Sequence, residues 1–246
     1  MAKQSAKSSV ITAGKPAATK RTPEERAEAA RLAAREKAQM LRKLICGWKH
    51  ENAARKTGAL LIAGVDEVGR GALFGPVVAA AVILPHGCRF KGLRDSKQLL
   101  AKDRERLAKE IRSRCLAAAV AEVDVETIDR VNIYQASKLA MLQAVRQLTP
   151  EPDFLLIDAM RIEHDCPQQS LIYGDCLSVS IAAASVIAKV YRDALLCQMD
   201  EEFPGYGLSS HKGYGTPKHI EALRLLGPSM QHRKSFAPVL QFGLFD

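Results

Sequence analysis

The sequence has no long hydrophobic run. A membrane-spanning helix needs roughly 18 or more consecutive apolar residues, and the longest apolar stretch, Val77 to Pro85, has only the length of a strand. The N-terminal residues are polar and include lysines, and they do not form the apolar core and cleavage site of a signal peptide. These two absences exclude a membrane-spanning protein and predict a cytoplasmic one.

The cysteines lack the spacing of a metal or redox site. There are 6 of them, none in a C-x-x-C pair. A zinc site or a disulfide framework is therefore not indicated, and reduced thiols in a cytoplasmic protein are expected. The six are Cys46, Cys88, Cys115, Cys166, Cys176 and Cys197.

Basic residues are in excess only at the N-terminus. Residues 1–57 contain 14 Lys+Arg and 5 Asp+Glu, which is a net charge of +9; the remaining 189 residues contain 36 − 14 = 22 basic and 27 − 5 = 22 acidic groups. A basic segment is attracted to nucleic-acid phosphates without sequence preference. A tail that only improves solubility is an equal alternative for this stretch.

The same N-terminal segment shows a helix start. Residues 1–21 lack a hydrophobic period and are predicted to be a disordered basic tail. Thr22 and Glu25 have the spacing of a capping box around Pro23, so we expect a helix from there to about Cys46. Residues 22–57 are accordingly predicted to be a basic helical extension, whose apolar stripe docks on the main domain or on a partner. The stripe consists of Leu41, Leu44, Ile45 and Trp48.

Residues 58–246 have an α/β pattern. The first three predicted strands follow one another without a long helix between the first two, and βα units come after them. This order predicts a mixed sheet, an antiparallel meander extended by parallel strands, with helices on both faces. The predicted strands are 59–66, 77–84, 116–123, 154–158 and 170–173, and the predicted helices are 103–114, 125–148, 181–199, 216–226 and 234–241.

Four acidic residues stand at the ends of apolar segments. Asp66 and Glu67 end the first strand, Asp158 ends the fourth, and Asp175 precedes an alanine-rich helix. Neighbouring strand residues point to opposite faces, so we expect a break just after the strand, permitted by the glycines of Gly69–Gly71, to bring Asp66 and Glu67 to one site.

Carboxylates brought together in this way need a cation. All-oxygen ligands favour Mg²⁺ or Mn²⁺, and two such ions about 3.5–4 Å apart suit phosphodiester hydrolysis. Taken singly, each acid is more simply a helix cap or a turn former. Taken together, the four predict a two-metal site.

The run Asp66-Glu67-Val68-Gly69-Arg70-Gly71 resembles the signature of ribonuclease HII. The resemblance extends over roughly residues 60–240 in the order of the family. Its further blocks are Asp95–Leu99, Leu156–Asp158, Gly174–Asp175, Ala183–Val190, Tyr191–Asp193, His211–Thr216 and Arg233–Val239.

This resemblance implies an RNase H-like fold and a role for each matched position. It implies that Asp66, Glu67, Asp158 and Asp175 are the catalytic, metal-binding carboxylates. It further implies that the loop formed by Gly69, Arg70 and Gly71 recognises a ribose 2′-hydroxyl, and that Tyr214 packs on the next sugar. Residues of blocks that approach the nucleic-acid backbone or support the site in relatives are Ser96, Lys97, Ser185 and Lys189.

Three features depart from the family pattern. Ala159-Met160 follows Asp158 where Gly-Asn is common, and Tyr173 and Cys176 surround Gly174-Asp175 where Lys and Ser are common. The basic segment before residue 58 is not part of the shared core.

The expected activity is that of a monomeric endoribonuclease. It would cut the RNA strand of RNA–DNA hybrids and incise 5′ to ribonucleotides embedded in duplex DNA, by two-metal-ion catalysis, leaving 3′-hydroxyl and 5′-phosphate ends. Three alternatives remain at this point: a ribonuclease HIII, a catalytically silent nucleic-acid-binding module, and an interaction protein with a structural α/β core. Cleavage at a single ribonucleotide and its dependence on divalent metal would distinguish them.

Overall fold

A computed structural model describes residues 22–41, 44–94, 96 and 99–242. The chain forms two compact units, Met1–Lys43 and Leu44–Asp246. The described part of the first unit is helix α1 (Pro23–Leu41). Its predicted capping box is confirmed, since Glu25 N–H donates to Thr22 Oγ1 and Thr22 N–H donates to Glu25 Oε2. Residues 1–21, predicted to be a disordered tail, lie outside the described residues.

The second unit begins ahead of the predicted catalytic domain. Residues 44–46 are not helical, so the prediction of one helix reaching Cys46 is wrong, and a separate helix α2 (Lys49–Lys56) comes next. Buried Glu51 of α2 accepts hydrogen bonds from Ser178 Oγ at 2.6 Å and from Ser180 N–H at 2.9 Å. Trp48 docks as predicted, with its indole N–H donating to the Cys88 carbonyl, whereas Ile45 of the same stripe is 83% exposed.

Five strands form a mixed sheet, which confirms the predicted architecture. The spatial order is β3-β2-β1-β4-β5. Strand β2 runs antiparallel to both β1 and β3, and β4 runs parallel to both β1 and β5. The bounds are β1 Ile62–Val68, β2 Val77–Ile83, β3 Ala117–Val123, β4 Phe154–Asp158 and β5 Gln168–Leu171.

Eight further helices in the described part of the chain surround this sheet. The predicted helix over residues 125–148 is in fact two helices, because Asn132 has φ +71° and caps the second of them with its side-chain oxygen. The last predicted helix is shorter than expected. The bounds are α3 Ala101–Arg114, α4 Val125–Val131, α5 Ile133–Arg146, α6 Gly174–Leu177, α7 Val179–Glu202, α8 Leu208–His211, α9 Pro217–Leu226 and α10 Ala237–Leu240. None of the described helices combines the length and the apolar character needed to cross a membrane.

The two faces of the sheet bury separate cores. Val77 and Ala79 of β2 pack towards α5, and Val78 and Ala80 pack towards α3 and α7, as the alternation of side chains in a strand requires. Helix α7 lies directly on the backbone of β1, because a Cβ atom at Gly64 would overlap the Ser180 carbonyl group. This close approach brings side chains of α7 to the carboxyl end of β1.

Candidate active site

Three acidic side chains meet near the carboxyl ends of β1 and β4. The parallel ladder between these strands closes at the pair Val65–Ile157, so Asp66 and Asp158 are the next residues on adjacent strands. One carboxylate oxygen from each of Asp66, Glu67 and Asp158 lies within 4.8 Å of the others. The structure therefore brings together three of the four predicted carboxylates in a geometry that could hold a cation.

The break expected directly after Asp66, the last residue of the predicted strand, is absent. Strand β1 continues to Val68, and its register with β2 is regular through Asp66, Glu67 and Val68. The two acids nevertheless approach each other within this regular strand, and Asp66 Oδ1 accepts a hydrogen bond from Glu67 N–H at 2.8 Å. Glu67 has one more methylene group than aspartate, which extends the reach of its carboxylate from the strand.

Asp175 lies beside this group rather than within it. It is buried in α6, directly after Gly174, whose N–H donates to Asp158 Oδ1 at 2.7 Å. A Cβ atom at Gly174 would lie 3.2 Å from that oxygen and 2.6 Å from Ile181 Cδ1, so a glycine is needed for this approach. The sequence block Gly174-Asp175 thus supports Asp158 through the main chain and adds a fourth carboxylate nearby.

The electrostatics of the site favour a bound cation. Burial raises the pKa of the Asp66 carboxyl well above its usual value, and the charges of Glu67, Asp158 and Asp175 raise it further. A hydrogen bond from Ser185 acts in the opposite direction. Carboxylates that repel one another in a buried place are stabilised by a divalent ion, and an all-oxygen donor set suits Mg²⁺ or Mn²⁺.

The predicted recognition loop lies next to the carboxylates. Gly69 has φ +91°, a conformation that side-chain-bearing residues rarely adopt. Gly71 is exposed, and a Cβ atom placed there would meet nothing within 4 Å. Between them, Arg70 is exposed and its guanidinium lies 3.3 Å from Glu67 Oε1. The main chain at Gly71 is therefore open to a ligand close to the acidic group.

A second loop carries Tyr214. It forms an isolated antiparallel bridge with Ala72, so it adjoins the glycine-containing loop. Lys189 Nζ is 6.0 Å from the centre of the Tyr214 ring, but its ammonium is bound by Asp193 at 2.6 Å. Burial lowers the pKa of Lys189.

The remaining predicted contacts have different surroundings. Ser96 and Ser185 are both buried, and their hydroxyls are 2.8 Å apart. Because Ser185 also hydrogen-bonds to Asp66, this pair supports a carboxylate. Lys97 lies outside the described residues.

The family is shown by comparison with known proteins. A family model described as Ribonuclease HII matches residues 63–239. A Ribonuclease HII of Koribacter versatilis is 60% identical over 207 residues, which cover 84% of this chain and 82% of that protein. The chain belongs to the ribonuclease HII family. Members of this family are nucleases that cleave the RNA of RNA–DNA hybrids, and the ribonuclease HIII alternative is not supported.

Solved structures agree on the fold. The RNase HII of Archaeoglobus fulgidus, solved in a complex with PCNA, has a TM-score of 0.62 at 27% identity, covering 72% of this chain and 95% of that one. The ribonuclease H2 of Pyrococcus horikoshii OT3 has a TM-score of 0.65 at 22% identity, covering 74% and 97%. At that identity the second comparison shows the fold alone.

Sequence reasoning missed four buried basic residues around the ribonuclease HII loops. Arg192, His219, His232 and Arg233 are each 0% exposed. His219 and His232 are in hydrogen-bond contact through their Nε2 atoms at 3.1 Å, and His219 Nδ1 lies 3.0 Å from the Tyr214 carbonyl oxygen. Burial lowers the pKa of both histidines, that of His232 to about 4. Arg192 and Arg233 fall in blocks that resemble the family, but the sequence assigned neither of them a role; a charged residue within an apolar helix was a further signal for Arg192.

Proposed function

We propose that this chain is an endonuclease that cuts 5′ to a ribonucleotide, both in RNA–DNA hybrids and in duplex DNA containing single ribonucleotides. The products are a 3′-hydroxyl and a 5′-phosphate. One observation carries the proposal: the close group of Asp66, Glu67 and Asp158 lies beside a loop whose main chain is open at Gly71. Acid clusters suit the cleavage chemistry, and an accessible glycine backbone suits recognition of a ribose hydroxyl.

Divalent cations, Mg²⁺ or Mn²⁺, are assigned to Asp66, Glu67, Asp158 and Asp175. When bound, such ions supply an activated water and offset the charge on the departing 3′ oxygen. The chain itself keeps the carboxylates in place before substrate arrives. Glu67 N–H and Ser185 hold Asp66, and Gly174 N–H holds Asp158. Such preorganisation reduces the rearrangement needed in the reaction.

Substrate recognition is assigned to the two adjoining loops. Gly69, Arg70 and Gly71 would contact the ribose hydroxyl, since glycines allow close approach of main-chain groups and the 2′-hydroxyl distinguishes RNA from DNA. Tyr214 would pack on the sugar of the next nucleotide. Exposed Arg70 and half-buried Lys189 are the phosphate contacts, and Lys97 is proposed with them on the family resemblance alone.

The basic residues before residue 58 are assigned a general role in affinity. Their net charge of +9 favours binding to phosphates of any sequence. In this assignment the segment lengthens the time that the enzyme spends on DNA and takes no part in the cleavage step.

The test is a cleavage assay on three end-labelled duplexes: DNA with one ribonucleotide, a continuous RNA–DNA hybrid, and DNA alone. We expect cleavage of the first two with Mg²⁺ or Mn²⁺, cleavage 5′ to the single ribonucleotide, and none with EDTA. Asp158→Asn should abolish cleavage, whereas Asp165→Asn, at an exposed aspartate outside the site, should not. Metal-independent binding without cleavage would instead support the silent-module alternative.

A further inference from the structure

Arg192 of α7 is a fully buried arginine whose three side-chain nitrogens each donate to a main-chain carbonyl. Its Nε donates to Pro76 at 3.2 Å, its Nη2 to Phe74 at 3.1 Å and its Nη1 to Lys212 at 2.9 Å. Its exposed fraction is 0%. Burying a guanidinium costs several kcal/mol unless it is well hydrogen-bonded. Such a group therefore fixes the positions of the carbonyls that it binds.

These carbonyls belong to the two loops that flank the acidic site. We call residues 69–76 the glycine loop and residues 212–216 the tyrosine loop. Phe74 and Pro76 are at the end of the glycine loop, and Lys212 begins the tyrosine loop. Arg192 thus binds both loops at once.

The same guanidinium also contacts the recognition residues of each loop. A Cβ atom at Gly69 would overlap Arg192 Nε, so the glycine at the start of its loop packs on the guanidinium. The Tyr214 ring centre lies 5.7 Å from Arg192 Cζ. A planar fork of five donors holds a fixed geometry that the single ammonium of lysine does not.

A second buried arginine offers a comparison within the same chain. Arg233 donates from Nε to the Gly75 carbonyl and from Nη1 to the Arg70 carbonyl, both at 3.0 Å. Both acceptors lie in the glycine loop. Arg233 therefore holds one loop in shape, whereas Arg192 joins one loop to the other.

We propose that Arg192 is a positioning residue that sets the spacing between the glycine loop and the tyrosine loop, and that this spacing determines the preference for a junction between a ribonucleotide and a deoxynucleotide. The inference rests on the proposed function, in which the glycine loop contacts the ribose hydroxyl and Tyr214 contacts the next sugar. A junction needs both contacts at a fixed distance. A continuous hybrid presents a ribose hydroxyl at every step and depends chiefly on the glycine loop.

The experiment compares Arg192→Lys with Arg233→Lys. For each, kcat/KM is measured on duplex DNA with one ribonucleotide and on a continuous hybrid. We expect Arg192→Lys to lower the ratio of the two values by about tenfold, since small misplacements of positioning groups have effects of this size or larger. Arg233→Lys should lower both values alike and leave the ratio unchanged.

Amide hydrogen exchange gives a second readout that needs no activity. Arg192→Lys should accelerate exchange in both loops, and Arg233→Lys in the glycine loop alone. If Arg192→Lys does not fold, Arg192→Met, which removes the buried charge at similar length, takes its place in both measurements.

Failure of this inference and failure of the proposed function are distinguishable. An unchanged ratio, or unchanged exchange in the tyrosine loop, in an otherwise active Arg192 variant overturns this inference alone. Wild-type protein that cuts neither substrate overturns the proposed function, and with it the assignment of selectivity to Arg192. The exchange data would still decide whether Arg192 holds the two loops together.

Discussion

Replacing Asp66 by asparagine should abolish cleavage and yet stabilise the metal-free protein. Asp66 is 4% exposed, and its carboxylate lies within 4.8 Å of those of Glu67 and Asp158. Two unit charges at that distance repel each other by about 3.5 kcal/mol at an effective dielectric constant of about 20. Asparagine removes this repulsion and keeps an oxygen that can accept the hydrogen bond from Glu67 N–H.

The expected net gain is smaller than one pairwise repulsion. Binding of a proton relieves part of the repulsion between the carboxylates, and a buried amide has its own desolvation cost. We therefore expect a gain of about 2 kcal/mol in the free energy of unfolding, which raises Tm by about 4–8 °C in a protein of this size.

The gain should depend on pH in a defined direction. The pKa of Asp66 is raised in the folded state, so the folded protein loses stability as the pH rises from the unfolded-state pKa through the folded-state pKa. Asparagine does not ionise. The advantage of Asp66→Asn over wild type should accordingly be larger at pH 8.5 than at pH 5.

Thermal unfolding in EDTA, followed by circular dichroism, measures this effect, and Asp165→Asn is the matched control. Adding Mn²⁺ should stabilise wild type by mass action and stabilise Asp66→Asn much less. A Tm of Asp66→Asn in EDTA that equals or falls below that of wild type would refute the argument that these carboxylates repel one another in the folded state.

Three other parts of the molecule give further predictions. Gly71→Ala should lower kcat/KM on a single-ribonucleotide duplex by at least tenfold without changing Tm, because its Cβ would meet only open space where the ribose is expected. Gly47→Ala, at an equally unobstructed position, should change neither kcat/KM nor Tm, and full activity of Gly71→Ala would contradict the assigned contact. His232, with its pKa lowered to about 4 by burial, binds a proton more readily in the unfolded state, so the free energy of unfolding should fall by up to about 3 kcal/mol as the pH drops from 6.5 to 4. In urea unfolding, His232→Gln should lack this part of the pH dependence, and an equal pH dependence of wild type and His232→Gln would contradict the prediction. Deleting residues 1–43, which carry 11 Lys+Arg and 4 Asp+Glu, should weaken duplex binding and flatten its salt dependence while leaving kcat unchanged. Equal affinities of the full chain and the deletion variant at every salt concentration would contradict this prediction.

The deletion ends at residue 43 because the second compact unit begins at Leu44. Glu51 accepts hydrogen bonds at the start of α7, and Trp48 packs beside Cys88. Removing residues 1–57 would therefore disturb folding as well as charge. That the basic extension contributes to binding and not to the cleavage step stays a prediction.

Local patterns in the sequence were sufficient for much of the sheet and for the start of α1. The bounds predicted for the strand Phe154–Asp158 match the structure, because a short apolar run there ends at a single charged residue. The capping box of α1 was equally predictable, since Thr22 and Glu25 are three positions apart and bond to each other. Both features depend on residues that are close together in the chain.

Features that depend on side-chain conformation or on distant residues were not predictable. The convergence of Asp66 and Glu67 within a regular strand depends on how individual side chains turn, which strand periodicity does not encode. The roles of Arg192 and Arg233 depend on main-chain carbonyls, and carbonyls carry no sequence signal. Arg233 and the Arg70 carbonyl that it binds are 163 positions apart.

The most direct test of the metal-dependent nuclease site is anomalous diffraction from crystals grown with Mn²⁺ and an uncleavable duplex containing one ribonucleotide. We expect manganese peaks bound by the carboxylates of Asp66, Glu67 and Asp158, next to the phosphate 5′ to the ribonucleotide, with its 2′-hydroxyl against the glycine loop. Density with no manganese at these carboxylates, or with the ribonucleotide bound elsewhere on the protein, would contradict this assignment.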